Sequence, residues 1–487
     1  MPGLNASLSI GLSALQASQA ALNVVGHNIA NVNTPNYSRQ RAILANNDSQ
    51  TFGTLQYGQG VNLNNIIGVR DRFLEMQITQ ATSRKSGADT RYTAMEGISP
   101  TFLESGSDSD LSALVGQFFQ GFQDLAARPE DGAVRANVIG RAQSLTNGIQ
   151  SRWQLLQDQR TQADGTVRSL VTEINTISTE IGKLNARIRS EPTPGADSDA
   201  RDQRQTLANK LADLVGVQVY EDGNSQMQVT LDSGAAVLVS GITAYKLSAT
   251  PDIALGNFNR VEVTLGSGAT IDITKSVKEG ALGANLDLRD TILPGFQQKL
   301  DQLASGIGGQ VNLLHRAGFA LDGTTNRDFF TGLAALSGNG LPTTVIGAAN
   351  ALRVNATLVA SPRLIGAANA AGAVGNNKNA LAIANLQQSA NTVDTDNDGV
   401  GDSGPFGSMV STMTSSMGTL VQSYKSRSTG DENLMVALQN QHERISGVDL
   451  DEEATQMMAF QRGYQASARF ISVINQLTDQ LVNNFGR

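Results

Sequence analysis

Cysteine is absent from this chain, and charged and aromatic side chains are scarce. The lack of cysteine excludes disulfides, thiolate zinc sites and cysteine nucleophiles. Charged residues make up 16% of the chain, below the roughly 25% of an average globular protein. Glycine, alanine and small polar residues fill the difference. Identical copies of such a weakly charged surface repel one another only weakly, so the composition permits assembly.

Positive charge and long apolar runs are also missing. Acidic residues outnumber basic ones, 44 to 36, and the formal net charge of −8 argues against a nucleic-acid partner, since phosphate binding needs a cationic surface. No uninterrupted apolar run approaches the roughly 18 residues that cross a bilayer, so we expect no membrane insertion. The first residues also lack the pattern of an ordinary signal peptide. The 487 residues suffice for about three domains.

A heptad repeat of apolar residues runs through the N-terminal end of the chain. Its positions hold Leu8, Leu15, Leu22, Ile29 and Val32. A period of 3.5 residues is typical of a long helix that packs on another helix. The pattern stops at Pro35, which cannot continue a helix, and Asn36 tolerates a left-handed backbone. A turn is therefore predicted after this helix.

A second heptad repeat occupies the C-terminal end. Its positions hold Met457, Phe460, Tyr464, Ile471 and Ile474. Asp449 is predicted to cap the start of this helix, because a carboxylate accepts hydrogen bonds from the first free N–H groups. We predict that the two end helices pair with each other. The predicted assembly seam comprises Leu15, Leu22, Ile29, Val32, Met457, Tyr464, Ile471 and Ile474.

The middle of the chain changes from helical to β patterning and back. Apolar residues at heptad spacing predict one long helix from Val167 to Ile188 and another from Leu293 to Leu314. From Val217 to Ile273, apolar and polar residues alternate between turn signals, which predicts a small antiparallel β domain. Residues 335–405 are rich in Ala, Gly and Asn, and we interpret them as short strands and loops.

The predicted fold is α+β and mainly α. It is a rod of long coiled-coil-like helices made from both chain ends, with a small antiparallel β domain inserted. We assign residues 1–45 and 441–487 to the paired terminal helices and 216–285 to the outward-facing β domain. Residues 46–215 and 286–440 then form a helical rod domain with irregular and β segments.

The three histidines offer no catalytic constellation. His442 and Glu443 start like the HExxH helix of a zinc protease, but Ser446 stands where the second histidine should be, so no two imidazoles share one face. His27 and His315 have apolar neighbours and no nearby carboxylate motif, which favours packing or surface roles. No nucleotide-binding glycine motif is present either, so we expect no enzyme activity.

One acidic segment is a candidate metal site. Carboxylates at positions 1, 3, 5 and 9 of a calcium-type loop are supplied by Asp394, Asp396, Asp398 and Asp402. Gly399 stands at the tight turn, but Pro405 replaces the glutamate expected at the twelfth position. Two interpretations stay open, a weak calcium site and a solvated acidic turn. No other cofactor is expected.

Both ends of the chain resemble the signatures of one protein family. Residues 27–41 read HNIANVNTPNYSRQR, and residues 446–477 read SGVDLDEEATQMMAFQRGYQASARFISVINQL. The two segments are similar to the N- and C-terminal signatures of bacterial flagellar axial proteins, the family of rod, hook and hook-associated subunits. Within this family, residues 286–330, with their Asn-x-x-His-x-x-Gly element, resemble subunits of the hook–filament junction. The family usually has glycine where this chain has Asn36.

The resemblance implies a structural subunit of the bacterial flagellum. In such proteins the terminal helices pair with each other and pack on neighbouring subunits around a central channel. The implied product is a ring between the hook protein and hook-associated protein 3. Family members leave the cell unfolded through the flagellar type III export apparatus, which implies a secreted, extracellular location without a cleaved signal peptide. The resemblance also implies an export chaperone at the C-terminal helix.

Other interpretations of the same sequence remain open. The seams could close only within one subunit, which gives a monomeric helical bundle. The chain could be a different axial subunit, such as hook protein or the second junction protein. It could, more remotely, be a calcium-binding surface adhesin that uses the Asp394 loop. For an axial subunit, we expect both chain ends to be mobile in the free monomer and to become ordered on assembly.

Overall fold

The structure is a computed structural model that describes residues 2–34, 36–52, 55–103, 105–191, 197–334, 345–389 and 404–485. The predicted calcium loop at residues 394–402 lies outside the described residues. The calcium hypothesis therefore stays a prediction.

Long helices dominate the described part of the chain. They are α1 Pro2–Ala30, α2 Arg72–Ile98, α3 Leu111–Ala127, α4 Gly132–Arg189, α5 Ser198–Leu214, α6 Gly280–Asp287, α7 Leu293–Ala317, α8 Ala348–Ala351, α9 Ala356–Ala360, α10 Lys378–Asn385, α11 Phe406–Ser446 and α12 Leu450–Phe485. A π-helical turn at Leu288–Ile292 joins α6 to α7. Long helices at both ends with small antiparallel sheets between them confirm the predicted fold class.

The strands form small antiparallel sheets. They are β1 Gln40–Asn46, β2 Gln50–Phe52, β3 Leu55–Tyr57, β4 Val61–Gly68, β5 Val217–Glu221, β6 Met227–Leu231, β7 Val237–Ser240, β8 Thr243–Ala244, β9 Leu247–Pro251, β10 Asn259–Thr264, β11 Thr270–Asp272, β12 Phe330–Thr331 and β13 Arg353–Val354. Strands β1 and β4 pair as the two sides of a long hairpin, and β2 pairs with β3 near its tip. The predicted organisation assigned residues 40–45 to the terminal helices and residues 46–68 to a helical rod domain with irregular and β segments, because the hairpin's mixed polar pattern shows no clean alternation.

A phenylalanine cluster forms the centre of the largest hydrophobic core. The helices α3, α4, α7 and α11 surround it, together with the short helices after residue 345. Its fully buried rings are Phe118, Phe119, Phe122, Phe329, Phe330 and Phe406. Several of these rings meet edge to face, the arrangement that the quadrupole of an aromatic ring favours.

The inserted β region consists of two sheets that pack on α4, α5 and α6. The strand orders are β5-β6-β7-β8 and β11-β10-β9. Two asparagines of α4 bond to strand backbone as another strand would. Asn175 accepts from Leu247 N–H and donates to its carbonyl, both at 2.8 Å. Asn185 does the same at Met227, at 2.9 and 2.8 Å. These bonds hold both sheets against one helix.

The Asn-x-x-His-x-x-Gly element of α7 anchors the loops that follow it. Asn312 accepts from the backbone N–H of Phe330 and donates to its carbonyl, both at 2.8 Å. His315 is fully buried and bonds to backbone through both ring nitrogens. At Gly318 an added β-carbon would lie 2.1 Å from Asn379 Nδ2. Each residue type is thus explained by its contacts.

Residues 345–389 differ from the sequence interpretation. Three short helices, α8, α9 and α10, cover 17 of the 45 residues in this segment, and its β structure consists of the short strand β13 and an isolated bridge at Ala368. The high alanine content favours helical turns over strands, which explains the error. The flanking residues 335–344 and 390–403 lie outside the described part.

Candidate assembly site

The two end helices pair with each other, as the heptad repeats predict. They run antiparallel. Gly11 lies against Ile471, Ser18 lies against Gly463, and the buried Asn28 bonds to Glu453. As residue numbers rise along α1, they fall along α12 at nearly the same rate. The N- and C-terminal segments of the chain therefore form one structural unit.

Small residues let the two helices approach closely. A β-carbon added at Gly11 would lie 2.8 Å from Ile471 Cγ1 and 3.0 Å from Phe470 Cδ1. Carbon atoms in contact normally lie about 3.5–4.0 Å apart, so no larger residue fits without movement of α12. A β-carbon at Gly463 would lie 3.3 Å from Ser18 Oγ, so the second small pair is also tight.

The predicted seam residues have the same spacing at both ends of the chain and differ in how far they are buried. On α12, Ile474 is 8% exposed, Met457 and Ile471 are half-buried, and Tyr464 is 36% exposed. On the N-terminal side, the predicted residues Leu15, Leu22, Ile29 and Val32 are all half-buried, and Val32 lies in the turn after α1. Their role in assembly stays a prediction.

The most buried side of α1 carries residues that the seam prediction left out. They are Ala17, Ala21, Val24, Val25 and Asn28. The long hairpin packs on α1 in addition to α12, so the helix is covered on two sides. Ser13 lies in this contact, where its hydroxyl accepts from Val61 N–H at 3.4 Å. We call α1, the hairpin and α12 the terminal module.

Asn28 connects the three parts of the terminal module. Its Oδ1 accepts from the Tyr37 hydroxyl at 2.8 Å and from Gln40 N–H at 2.9 Å. Its Nδ2 donates to the Gln40 carbonyl at 2.9 Å and to Glu453 Oε2 at 3.0 Å. These four bonds use both donors and both acceptor lone pairs of the amide. Asn28 and Glu453 are each 1% exposed, so loss of either partner leaves a buried polar group unpaired.

Tyr37 and Arg39 extend this polar cluster. The Tyr37 hydroxyl lies 3.0 Å from His27 Nδ1. Burial raises the pKa of Tyr37, and the nearby carboxylates of Asp199, Asp202 and Glu453 raise it further, so the phenol stays protonated and able to donate. Arg39 forms an ion pair of 2.5 Å with Glu452 at the start of α12. The cluster joins the end of α1 to the start of α12.

Two local predictions at this cluster are confirmed. Asn36 has φ of 60°, the left-handed conformation that the turn was predicted to need. Asp449 Oδ1 accepts from Asp451 N–H at 2.9 Å and from Glu452 N–H at 3.3 Å, so it caps α12. The turn and the cap are encoded by short-range chemistry, which is why the sequence shows them.

Apolar side chains remain exposed on both paired helices. On α12, Phe470, Val473 and Leu477 stand three and four residues apart, and Val473 is 51% exposed. On α1, Leu8 and Leu12 stand four residues apart, and Leu12 is 49% exposed. These spacings place each group on one face of its helix. We call the two groups the α12 stripe and the α1 stripe.

The N-terminal helix bears on the expectation of no membrane insertion, which stays a prediction. α1 carries no Asp, Glu, Lys or Arg, and its Leu4–Ala30 stretch is long and apolar enough, by length and composition alone, to cross a bilayer. Ser, Gln and Asn interrupt its apolar residues without adding charge, so the helix contains no long uninterrupted apolar run. In this structure the helix pairs with α12 and the hairpin.

The other candidate chemistry does not converge. Burial lowers the pKa of His442, and the described residues around it form no metal-binding group of His, Cys, Asp and Glu. Ser446, at the missing ligand position, is fully buried, and its carbonyl accepts from Arg39 N–H at 2.8 Å. The two matching positions of the HExxH pattern therefore form no metal site within the described residues.

Sequence reasoning missed Asn28, Tyr37 and Glu453 as site residues. All three fall inside the quoted terminal segments, so the resemblance could have indicated them. The heptad pattern could not indicate them, because it is defined by apolar residues and these three residues are polar.

Three family models match the chain. The helical domain of the flagellar hook-associated protein FlgK matches residues 100–330. The C-terminal model of flagellar basal body rod FlgEFG proteins matches residues 439–484, and the flagella basal body rod protein model matches residues 8–37. The last two matches cover parts of α1 and α12 and the residues that join them to their neighbours.

Full-length relatives and a solved structure agree with these models. The chain is 28% identical to flagellar hook-associated protein 1 of Salmonella typhimurium, over 99% of this chain and 100% of the relative. It is 25% identical to flagellar hook-associated protein 1 of Bacillus subtilis, over 97% of each chain. The flagellar hook junction protein FlgK from Burkholderia pseudomallei has a similar fold, with a TM-score of 0.66 at 15% identity, over 76% of this chain and 100% of that one.

Proposed function

Since this chain belongs to the flagellar hook-associated protein 1 family and is a structural subunit of the junction between hook and filament, we propose that its terminal module builds it into that junction. The observation that carries the proposal is the pair of exposed apolar stripes on α1 and α12. Exposed apolar side chains in a row are costly in water and mark association surfaces.

The stripes suit contacts between copies of the chain. The seam between α1 and α12 is closed within one subunit, and Phe470 lies at its edge beside Gly11. The α1 stripe, Val473 and Leu477 are left for neighbours. A contact between the α1 stripe of one copy and the α12 stripe of the next joins two different surfaces. Heterologous contacts of this kind generate closed rings or helical arrays, and a ring is the form we propose here. The absence of charged side chains on α1 means that neighbouring copies meet without charge repulsion.

The predicted seam residues then divide into two groups. Ile471 and Ile474 face α1 and stabilise the module itself. The other six are partly exposed at its edge, so we propose that they contribute to contacts between copies: Leu15, Leu22, Ile29, Val32, Met457 and Tyr464. The module must form before it can present the stripes, so both groups are needed for assembly.

Hook protein on one side and hook-associated protein 3 on the other are the proposed neighbours of the ring. We also propose that the chain leaves the cell unfolded through the type III export apparatus and becomes extracellular. The absence of cysteine supports this route, since no disulfide has to form or break. An export chaperone bound to α12 before export would cover the α12 stripe, which is exposed in the monomer.

Substitution of the α12 stripe tests the proposal. Cells that produce the Val473→Asp, Leu477→Asp variant as their only copy are expected to have hooks without filaments, because buried carboxylates oppose the apolar contact. A Gln465→Asp, Ser472→Asp variant is the matched control, since both residues are exposed polar positions of α12 outside the stripe. Electron microscopy counts filaments, and antibody labelling locates the subunit. Normal filaments on cells with the stripe variant would exclude the proposed role.

A further inference from the structure

The terminal module shares no hydrophobic core with the rest of the subunit, within the described residues. The three hydrophobic clusters there all lie between Leu74 and Leu438, a region that we call the body. The buried apolar residues of the module, such as Val25 and Ile474, belong to none of these clusters. The direction of the module relative to the body is therefore not set by apolar packing.

Polar bonds to the start of α5 join the module to the body. Ser38 N–H donates to Asp202 Oδ2 at 3.0 Å, and Gln40 Nε2 donates to Asp199 Oδ1 at 2.9 Å. The two carboxylates stand one helical turn apart, so they contact residues that stand two positions apart where the chain passes from the turn into β1. Nearby, the end of β4 touches α5 where Gly68 lies beside Ser198.

The buried position of Asp202 is energetically unfavourable for a carboxylate. The residue is 9% exposed, and burial raises its pKa. Its Oδ1 is buried without a hydrogen-bond partner in the described part of the chain. A buried carboxylate with an unpaired oxygen costs stability, so its contribution here is geometric specificity. The bond that offsets part of this cost comes from the module.

A groove separates the module from the body beside these bonds. Its volume is about 860 Å³, and it lies between the turn after α1 and the helices α2, α5 and α11. Charged and polar side chains line much of it, including Lys85, Asp213 and Glu432. Tilting of the module across this groove exposes little apolar surface, so packing opposes such a motion only weakly.

We propose that Asp199 and Asp202 are positioning residues that set the direction of the terminal module relative to the body. The chain crosses between the two parts at residues 69–71 and 447–449. When the two carboxylate bonds break, the module swings about these crossings while α1, the hairpin and α12 stay together through Asn28. The proposal rests on the proposed function, because the stripes must reach their neighbours at a defined angle.

Distance measurement between spin labels tests the proposal in the full chain. The chain has no cysteine, so Ser144→Cys on α4 and Gln465→Cys on α12, both exposed, provide unique labelling sites. We expect one narrow distance distribution by pulsed electron paramagnetic resonance, because the bonds of Asn28 hold the module together within one chain. A broad wild-type distribution, as ends that are mobile before assembly would give, would overturn the proposal. Asp199→Ala with Asp202→Ala is expected to widen the distribution at least twofold. Asp199→Asn with Asp202→Asn is expected to restore it, because the amide oxygen still accepts both bonds.

Two further variants make the result decisive. Asp213→Ala removes another carboxylate of the groove and is expected to leave the distribution unchanged. Gln40→Ala removes a bond from the module side and leaves α5 intact. It is expected to widen the distance distribution less than the double alanine variant does. The proposal therefore stays testable if the double alanine variant does not fold. An unchanged width in both Gln40→Ala and the double alanine variant would overturn the proposal.

The same labels separate this proposal from the proposed function. The Val473→Asp, Leu477→Asp variant is expected to keep the narrow distribution while losing filaments. If that variant assembles normally but the double alanine variant still widens the distribution, the positioning role stands and the proposed assembly role fails. If the stripe variant loses filaments and the alanine variants keep the native width, the proposed assembly role stands and the positioning role fails.

Discussion

At the scale of single residues, buried polar side chains explain most of the local geometry. Asn28, Asn175, Asn185 and Asn312 each bond to backbone of another element through both amide atoms. A buried amide with its bonds made specifies one arrangement, because any shift leaves donors and acceptors unpaired. These asparagines explain how a chain with little charge still orients its segments specifically.

His315 makes the stability of the body depend on pH. Its Nδ1 lies 2.6 Å from the Arg327 carbonyl and must donate, so Nε2 is the acceptor for Gly366 N–H at 2.9 Å. Burial lowers the pKa of His315 from 6.5 to about 4. A lowered histidine pKa contributes stability above the unfolded value, and that stability is lost as pH falls from about 6.5 to about 4, by roughly 3 kcal/mol.

The His315→Gln variant measures this contribution. At pH 7.5 we expect it to be less stable than the wild type by about 1–3 kcal/mol, because the backbone bonds are remade imperfectly. At pH 4.5 the difference should shrink or reverse, since glutamine does not titrate. Chemical denaturation at several pH values gives both curves, and the carboxylates common to both proteins cancel in the difference. A difference that stays constant from pH 7.5 to 4.5 would contradict the lowered pKa.

At the scale of elements, the helix pair of the terminal module depends on small residues at the contact. Gly11 and Gly26 lie in the same helix but in opposite surroundings. At Gly11 an added β-carbon meets Ile471 and Phe470, whereas at Gly26 it meets nothing within 4 Å. Substitutions at the two glycines therefore measure the packing of α1 and its helix propensity separately.

Substitution of each glycine should have opposite effects. Gly26→Ala is expected to stabilise α1 by about 0.5–1 kcal/mol, because alanine has the higher helix propensity. Gly11→Leu is expected to destabilise the α1–α12 pair by about 1–3 kcal/mol, because the tight contact is overpacked. Hydrogen exchange of α1 and α12 amides measures both. Unchanged protection in Gly11→Leu would mean that the two helices are not held this closely in solution.

The sequence predicted some elements well and missed others for physical reasons. The end helices, the β5–β11 region, the turn at Asn36 and the cap at Asp449 follow from local patterns, and all are present. The hairpin β1–β4 was missed because its stability comes from α1, a contact that local patterning does not show. In the same way, the alanine-rich residues after 345 form helical turns where they pack on other helices of the body.

At the scale of the whole molecule, the subunit consists of a packed body and a terminal module connected by polar bonds. The body contains the large cores, and the module contains the exposed stripes. The conditions that favour assembly should therefore act on the module and leave the body intact.

Assembly through apolar stripes should respond to the type of salt. Sodium sulfate is expected to raise the association of the purified chain several-fold, because excluded salts strengthen apolar burial. Sodium chloride at equal ionic strength should change it little, since α1 carries no Asp, Glu, Lys or Arg to screen. Sedimentation velocity measures both, with the Val473→Asp, Leu477→Asp variant as control. Dissociation by sodium chloride would instead indicate contacts between charges.

The sequence alone determined which segments pair and what kind of protein they build. Low charge, the missing cysteine and matching heptads at both ends are properties of composition and period, and the terminal motifs identify the family. Only the tertiary structure decided which apolar side chains close within one subunit and which stay exposed, because that depends on where the hairpin covers α1. It also brought Asn28, Glu453 and the α5 carboxylates together, since hydrogen bonds between distant segments leave no periodic signal in a chain.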